Sequence, residues 1–214
     1  MPATGQESWI KVWDPVVRYG HWALVAIFAV AYLSGEGDEG GADLLHAWSG
    51  YAIAAIIGFR LVWGLIGTRH ARFSDFAYGP SSVRGYLTDM LRGRARRYLG
   101  HSPAAAAMIF TLLICLSATV TTGLVAYGDS GKGPLADSGG AFVASARADE
   151  HGRHQGGGKG GGESAIGELH GALANITVGL VMLHIIGVGL SSVLHRENLV
   201  RAMITGRKRP ENDV

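Results

Sequence analysis

Four of the nine histidines in this chain have a spacing that can do chemistry. His170 and His184 bracket the stretch HGALANITVGLVMLH, fourteen residues apart in an otherwise apolar segment. In a helix, fourteen steps of about 100° fall about 40° short of four turns, so both imidazoles lie on one face, about 21 Å apart along the axis. An imidazole can move a proton near neutral pH or ligate a metal. His46 and Arg60 repeat the spacing of fourteen in a second apolar segment, and His21 lies about one turn into a third.

The elements that must position these groups are four long apolar runs, Val17 to Leu33, Leu44 to Gly67, Pro103 to Tyr127 and Ile166 to Leu194. Each approaches or exceeds the roughly 20 residues a helix needs to cross about 30 Å of hydrocarbon. Core helices of a soluble protein would carry a polar stripe, which these lack. The expected fold is all-α, an integral membrane four-helix bundle forming a single domain over residues 1–214. Fourteen Lys and Arg residues flank the runs on one side, seven of them between Arg69 and Arg97 and five between Arg196 and Arg209. The other side holds only Lys132, Arg147, Arg153 and Lys159, together with ten acidic residues. Short basic loops stay in the cytoplasm, so the N and C termini are expected to be cytoplasmic.

Depth then dictates which histidines can meet. His46 and His170 stand at the outer ends of their runs, while His21 and His184 lie towards the cytoplasm. Ionisable groups inside a span are costly and usually functional, and bundle cofactor sites are built from facing side chains of different helices. Two imidazole pairs stacked across a membrane describe two b-type haems, each with two axial histidines and no open position for oxygen, which points to electron transfer. Zinc would need three or four ligands at one depth. Cys115 is the only cysteine, which excludes covalent haem attachment through C-x-x-C-H. Arg60 falls on the cofactor face at the inner depth, where its donors suit a haem propionate; snorkelling to the inner head groups is the other reading. Gly20, Gly50, Gly171 and Gly187 sit beside or near the four histidines, as close approach of a flat ring requires, although glycine is also common wherever membrane helices touch.

The remaining segments carry weaker signals. His70, His101 and His195 lie at the cytoplasmic boundary, where interfacial solvation is the simple expectation; His195 is also a rival inner ligand or a group at a quinone pocket. The tail from 195 to 214 alternates basic and apolar residues in HRENLVRAMITGRKR, as if continuing the fourth helix along the inner surface. The arginine-rich piece from Leu91 to Leu99 suits anionic lipid head groups, and no motif supports nucleic-acid binding. The outer loop, residues 128–165, is glycine-rich, with twelve glycines between Gly128 and Ser164, and its middle is expected to be mobile. Its His151 and His154 form H-x-x-H with little preorganisation for a metal. The apolar residues from Trp22 to Ser34 resemble a signal-peptide core, but the region before them is long and contains Asp14, which argues against cleavage.

The pieces VWDPVVRYGHW (12–22), LHAWSGYAIAAIIGFRLVWGLIGTRHARFSDF (45–76), RYLGHSP (97–103), ELHGALAN (168–175) and LHIIGVGLSSVLHRENLVRAMITGRKR (183–209) resemble the bacterial cytochrome b561 and nickel-iron hydrogenase cytochrome b family. The resemblance implies a four-helix di-haem cytochrome of the bacterial inner membrane, with His21, His46, His170 and His184 as ligands. It implies electron transfer between the quinone pool and an outer-side partner, a periplasmic c-type cytochrome or a hydrogenase. A superoxide:quinone oxidoreductase is an alternative, set against the net acidic outer loops that would repel superoxide. A metal or haem transporter is another, and it predicts no stoichiometric haem. Homo-oligomer formation stays open.

Overall fold

The computed structural model describes residues 9–35, 40–134 and 165–209, with the side chains of residues 40–43 left aside. His151, His154 and the glycine-rich run lie outside the described residues. In chain order the elements are β1 (Ile10–Lys11), α1 (Pro15–Ser34), α2 (Gly40–Ile66), two short 3-10 turns (Arg69–Ala71 and Phe73–Asp75), α3 (Pro80–Leu91), α4 (Pro103–Asp129), α5 (Ala165–Leu194), α6 (Leu199–Thr205) and β2 (Arg207–Lys208). Four of the helices are long and apolar enough to cross a membrane. Their bounds extend the sequence-based ones by a few residues at several ends, since capping residues and first turns are not apolar.

Local chemistry sets where the spans begin. Asp14 caps α1 by accepting the Val17 amide at 2.8 Å, with Pro15 in the first turn. Ser102 and Pro103 do the same for α4. A cap oxygen satisfies an amide with no helical partner, and proline lacks the amide that would be orphaned there. Along their lengths the spans display large apolar side chains such as Leu33, Leu65, Ile114 and Val193, a surface that suits lipid rather than water.

The bundle is two hairpins. α1 packs along α2, α4 along α5, and α2 joins the hairpins by packing on α4; α1 and α5 share no extended interface among the described residues. The apolar cluster of Ala31, Ile53, Ile57 and Leu116 comes from α1, α2 and α4 only. α5 is tied to α4 by polar contacts instead: the buried Thr177 hydroxyl lies 3.1 Å from Cys115 Sγ and 3.2 Å from Thr119 Oγ1. Tyr32 of α1 donates to Asn175 of α5 at 3.0 Å.

The tail departs from the sequence expectation. α5 stops at Leu194, and Arg196 takes a left-handed turn (φ 49°), so the chain does not continue as one helix. After Asn198 caps α6, Gly206 turns with φ 78°, and its carbonyl accepts the amides of Val12 and Trp13. A side chain there would be strained and would meet Trp13 O at 2.8 Å. β2 then pairs antiparallel with β1, Ile10 opposite Lys208, so both described ends lie on one side of the bundle. Arg97 grips the buried Glu197 with two contacts of 3.1 and 3.3 Å, and Lys208 approaches the same carboxylate at 3.9 Å. At least part of the arginine-rich piece is thus spent inside the protein rather than on lipid. Removing one partner of such a buried group leaves charge uncompensated, so Glu197→Ala is expected to cost about 3 kcal/mol or more. A lowered melting temperature in detergent checks this.

Candidate functional site: two stacked histidine pairs

The structure brings His46 of α2 against His170 of α5, with ring centroids 5.8 Å apart and planes at 82°. It brings His21 of α1 against His184 of α5 at 6.4 Å and 59°. On α5 the two positions are separated by about 21 Å of helix axis. Each pair joins one hairpin to the other, across the side where the hairpins lack extended packing.

The His46–His170 pair, expected at the outer depth, is oriented by backbone. His46 Nδ1 lies 2.8 Å from Ala31 O, and His170 Nδ1 lies 2.9 Å from Thr119 O. A carbonyl only accepts, so each Nδ1 carries the hydrogen and each Nε2 keeps its lone pair. Ala31 O is available because α1 ends there: the Gly35 amide turns to Tyr32 O instead of completing another helical bond. Two glycines make the approaches passable. A Cβ at Gly35 would stand 3.1 Å from His46 Nδ1, and one at Gly123 would stand 2.8 Å from His170 Cε1 and 3.0 Å from its Nδ1. Sequence reasoning missed both. By contrast Gly20, Gly50, Gly171 and Gly187 have nothing within 4 Å of a Cβ position, so they are not contact points between helices.

The His21–His184 pair, expected at the inner depth, is held differently. His21 stands edge-on to Trp22 at 5.3 Å, and its Nδ1 is buried with no hydrogen-bond partner. Arg60 stacks over Phe73 at 4.8 Å, with Nη1 also buried and unpartnered. Its guanidinium is therefore turned into the protein at Phe73. Asp14 lies near it, already accepting from Thr68 Oγ1 at 2.5 Å and Trp63 Nε1 at 3.1 Å. Burial pushes the Asp14 carboxyl up, but these hydrogen bonds outweigh it and hold the group below the usual carboxylate range.

Of the boundary histidines, His195 Nε2 lies 3.3 Å from Tyr86 Oη, beside the cap rather than against His21, and burial pushes its pKa down. His70 pairs with Asp75 at 3.0 Å. His101 corrects the expectation of interfacial solvation: its ring sits between Trp13 (4.5 Å) and Phe76 (4.2 Å), and its Nδ1 is buried without a partner.

An iron between two imidazole nitrogens at about 2 Å each would put ring centres roughly 6 Å apart, taking the metal–imidazole length usual for first-row ions. Both pairs have that separation. Each depth supplies two nitrogens, and the described residues contain no cluster of three or more His, Cys, Asp or Glu that could hold a metal ion. That donor set fits haem, whose ring supplies the other four nitrogens, and the buried unpartnered Arg60 Nη1 is a donor free for a carboxylate.

Four apolar spans carrying paired internal imidazoles define the class: a helical membrane bundle of cytochrome build. The chain matches the family model for prokaryotic cytochrome b561 over residues 12–206 and belongs to that family. It is a b-type cytochrome of membrane electron transfer, a multi-pass protein of the bacterial inner membrane, and membership implies haem b. No curated protein and no solved structure matches it.

His101 sets a pH dependence. Burial first, then the nearby charges of Arg60, Lys208 and His70, push its pKa from 6.5 down to about 3, against a smaller opposing pull from Asp75. Between those values the unfolded chain binds the proton and the folded one does not, so stability falls as pH drops from 6.5 towards 3, by on the order of a few kcal/mol. Detergent melts across that window should show the decline, and His101→Phe should flatten it.

Proposed function

We propose that this chain is a di-haem b-type cytochrome that carries electrons across the inner membrane between the quinone pool and an outer-side redox partner, a periplasmic c-type cytochrome or a hydrogenase. The observation that carries the reading is the geometry of two imidazole pairs at two depths, each with the separation that bis-histidine iron requires. In this reading His46 and His170 hold the outer haem, His21 and His184 hold the inner one, and Arg60 offers Nη1 to an inner propionate. When bound, haem would supply one-electron chemistry at these imidazoles. The protein's part is to hold the rings in place, keep water from the irons and leave polar exits at each end. The termini lie in the cytoplasm in this proposal, supported by the basic residues flanking the spans on the side where β1 and β2 pair.

A reduced-minus-oxidised spectrum with a haem count on the purified protein tests the assignment. The expected result is two haems per chain, with one retained after substituting His46 or His21 by alanine; a colourless preparation overturns it. Loss of a haem on replacing His195 would mean that the inner pair is wrong. Rapid mixing of the oxidised holoprotein with a reduced c-type cytochrome, and of the reduced holoprotein with an oxidised quinone, separates relay from self-contained enzyme: the relay predicts fast haem reduction in the first and fast haem oxidation in the second. A reporter fused after residue 214 should be active only if it works in the cytoplasm.

A further inference from the structure

The two imidazole pairs differ in what their Nδ1 atoms touch. Both outer rings donate Nδ1–H to a backbone carbonyl, His46 to Ala31 at 2.8 Å and His170 to Thr119 at 2.9 Å. Of the inner rings, His21 has its Nδ1 buried with no acceptor at all. A hydrogen bond from the far nitrogen makes an imidazole a stronger electron donor to its metal, which favours the oxidised iron. A ring without one is a weaker donor and leaves the reduced iron relatively favoured.

A second observation points the same way. Arg60 lies on the same face of α2 as His46, about 21 Å further in, and its guanidinium keeps Nη1 buried and unpartnered against Phe73. A fixed positive charge at that depth favours addition of an electron to a neighbouring centre. The Asp14 carboxylate offsets part of this, but it is shared among Thr68, Trp63 and the Val17 amide.

Resting on the di-haem reading, we infer that the outer haem has the lower reduction potential of the two, and that Gly35 and Gly123 set this difference as positioning residues. Each admits an outer imidazole to its carbonyl, since a Cβ would press on the ring at 3.1 Å or 2.8 Å. One electron then leaves the outer iron as one arrives at the inner iron, with no bond made or broken. The favoured direction runs from a one-electron donor outside to a quinone at the cytoplasmic face.

Potentiometric titration of the holoprotein, followed optically, tests this. His21→Ala and His46→Ala proteins, each keeping one haem, assign the two potentials. The expected result is a lower potential for the outer haem, shifted upwards in Gly123→Ala with the inner one unmoved, while Gly85→Ala, on α3 away from both pairs and with open space at its Cβ, shifts neither. An outer potential equal to or above the inner one overturns the inference, as does a Gly123→Ala protein that keeps its outer haem at an unchanged potential. If Gly123→Ala loses the outer haem, the wild-type order decides. A wild-type protein without haem would instead defeat the di-haem reading itself.

Discussion

Hydrocarbon offers no hydrogen bonds, and that constraint organises this protein. A polar side chain inside a span needs a partner from the protein or from a bound cofactor. His46 and His170 meet the requirement through the carbonyls of Ala31 and Thr119, one on each hairpin. The same two contacts fix the imidazole planes, choose their tautomers and turn both lone pairs away from the backbone. Where α1 ends, and how closely α5 lies on α4, are therefore set by the needs of the outer pair as much as by apolar packing. Thr177 extends the pattern, bonding back to Leu173 and across to Cys115 and Thr119.

The division of labour among the helices follows. The apolar cluster joins α1, α2 and α4, so three spans cohere without α5. α5 is attached to α4 along one side and contributes one imidazole to each pair, His170 and His184. Because α1 and α5 share no extended interface, their meeting points are specific polar or ring contacts, Tyr32 with Asn175 and His21 with His184. A bundle fully packed on apolar side chains would leave no room for a cofactor; this one closes against itself on three sides.

The end of the bundle where β1 and β2 pair is built as a cap rather than as loose loops. β1 and β2 clasp the two described ends, Glu197 gathers Arg97 and Lys208, and Trp13, Phe76 and His101 stack beneath. The guanidinium of Arg60 leans into this aromatic layer. The two ends of the bundle thus present different surroundings to their imidazoles: backbone acceptors at His46 and His170, and a positive, aromatic, acceptor-poor setting at His21.

Much of this was legible from residue order alone. Helical pitch and membrane thickness are local quantities, so a spacing of fourteen, a run of apolar residues and a bias of basic residues were enough to place His21, His46, His170 and His184 by depth and face, and the rings of each expected pair do lie together. The tail and His101 were misread because both depend on distant partners: Glu197 and Gly206 are ordinary in sequence until Arg97, Trp13 and Lys208 come to them. Gly35 and Gly123 were invisible for a related reason. Every residue carries the same carbonyl, so nothing in the order of side chains marks Ala31 O or Thr119 O as acceptors. Only the close approach of two hairpins decides which carbonyl an imidazole reaches, and with it which pair is tied to backbone and which is left without an acceptor.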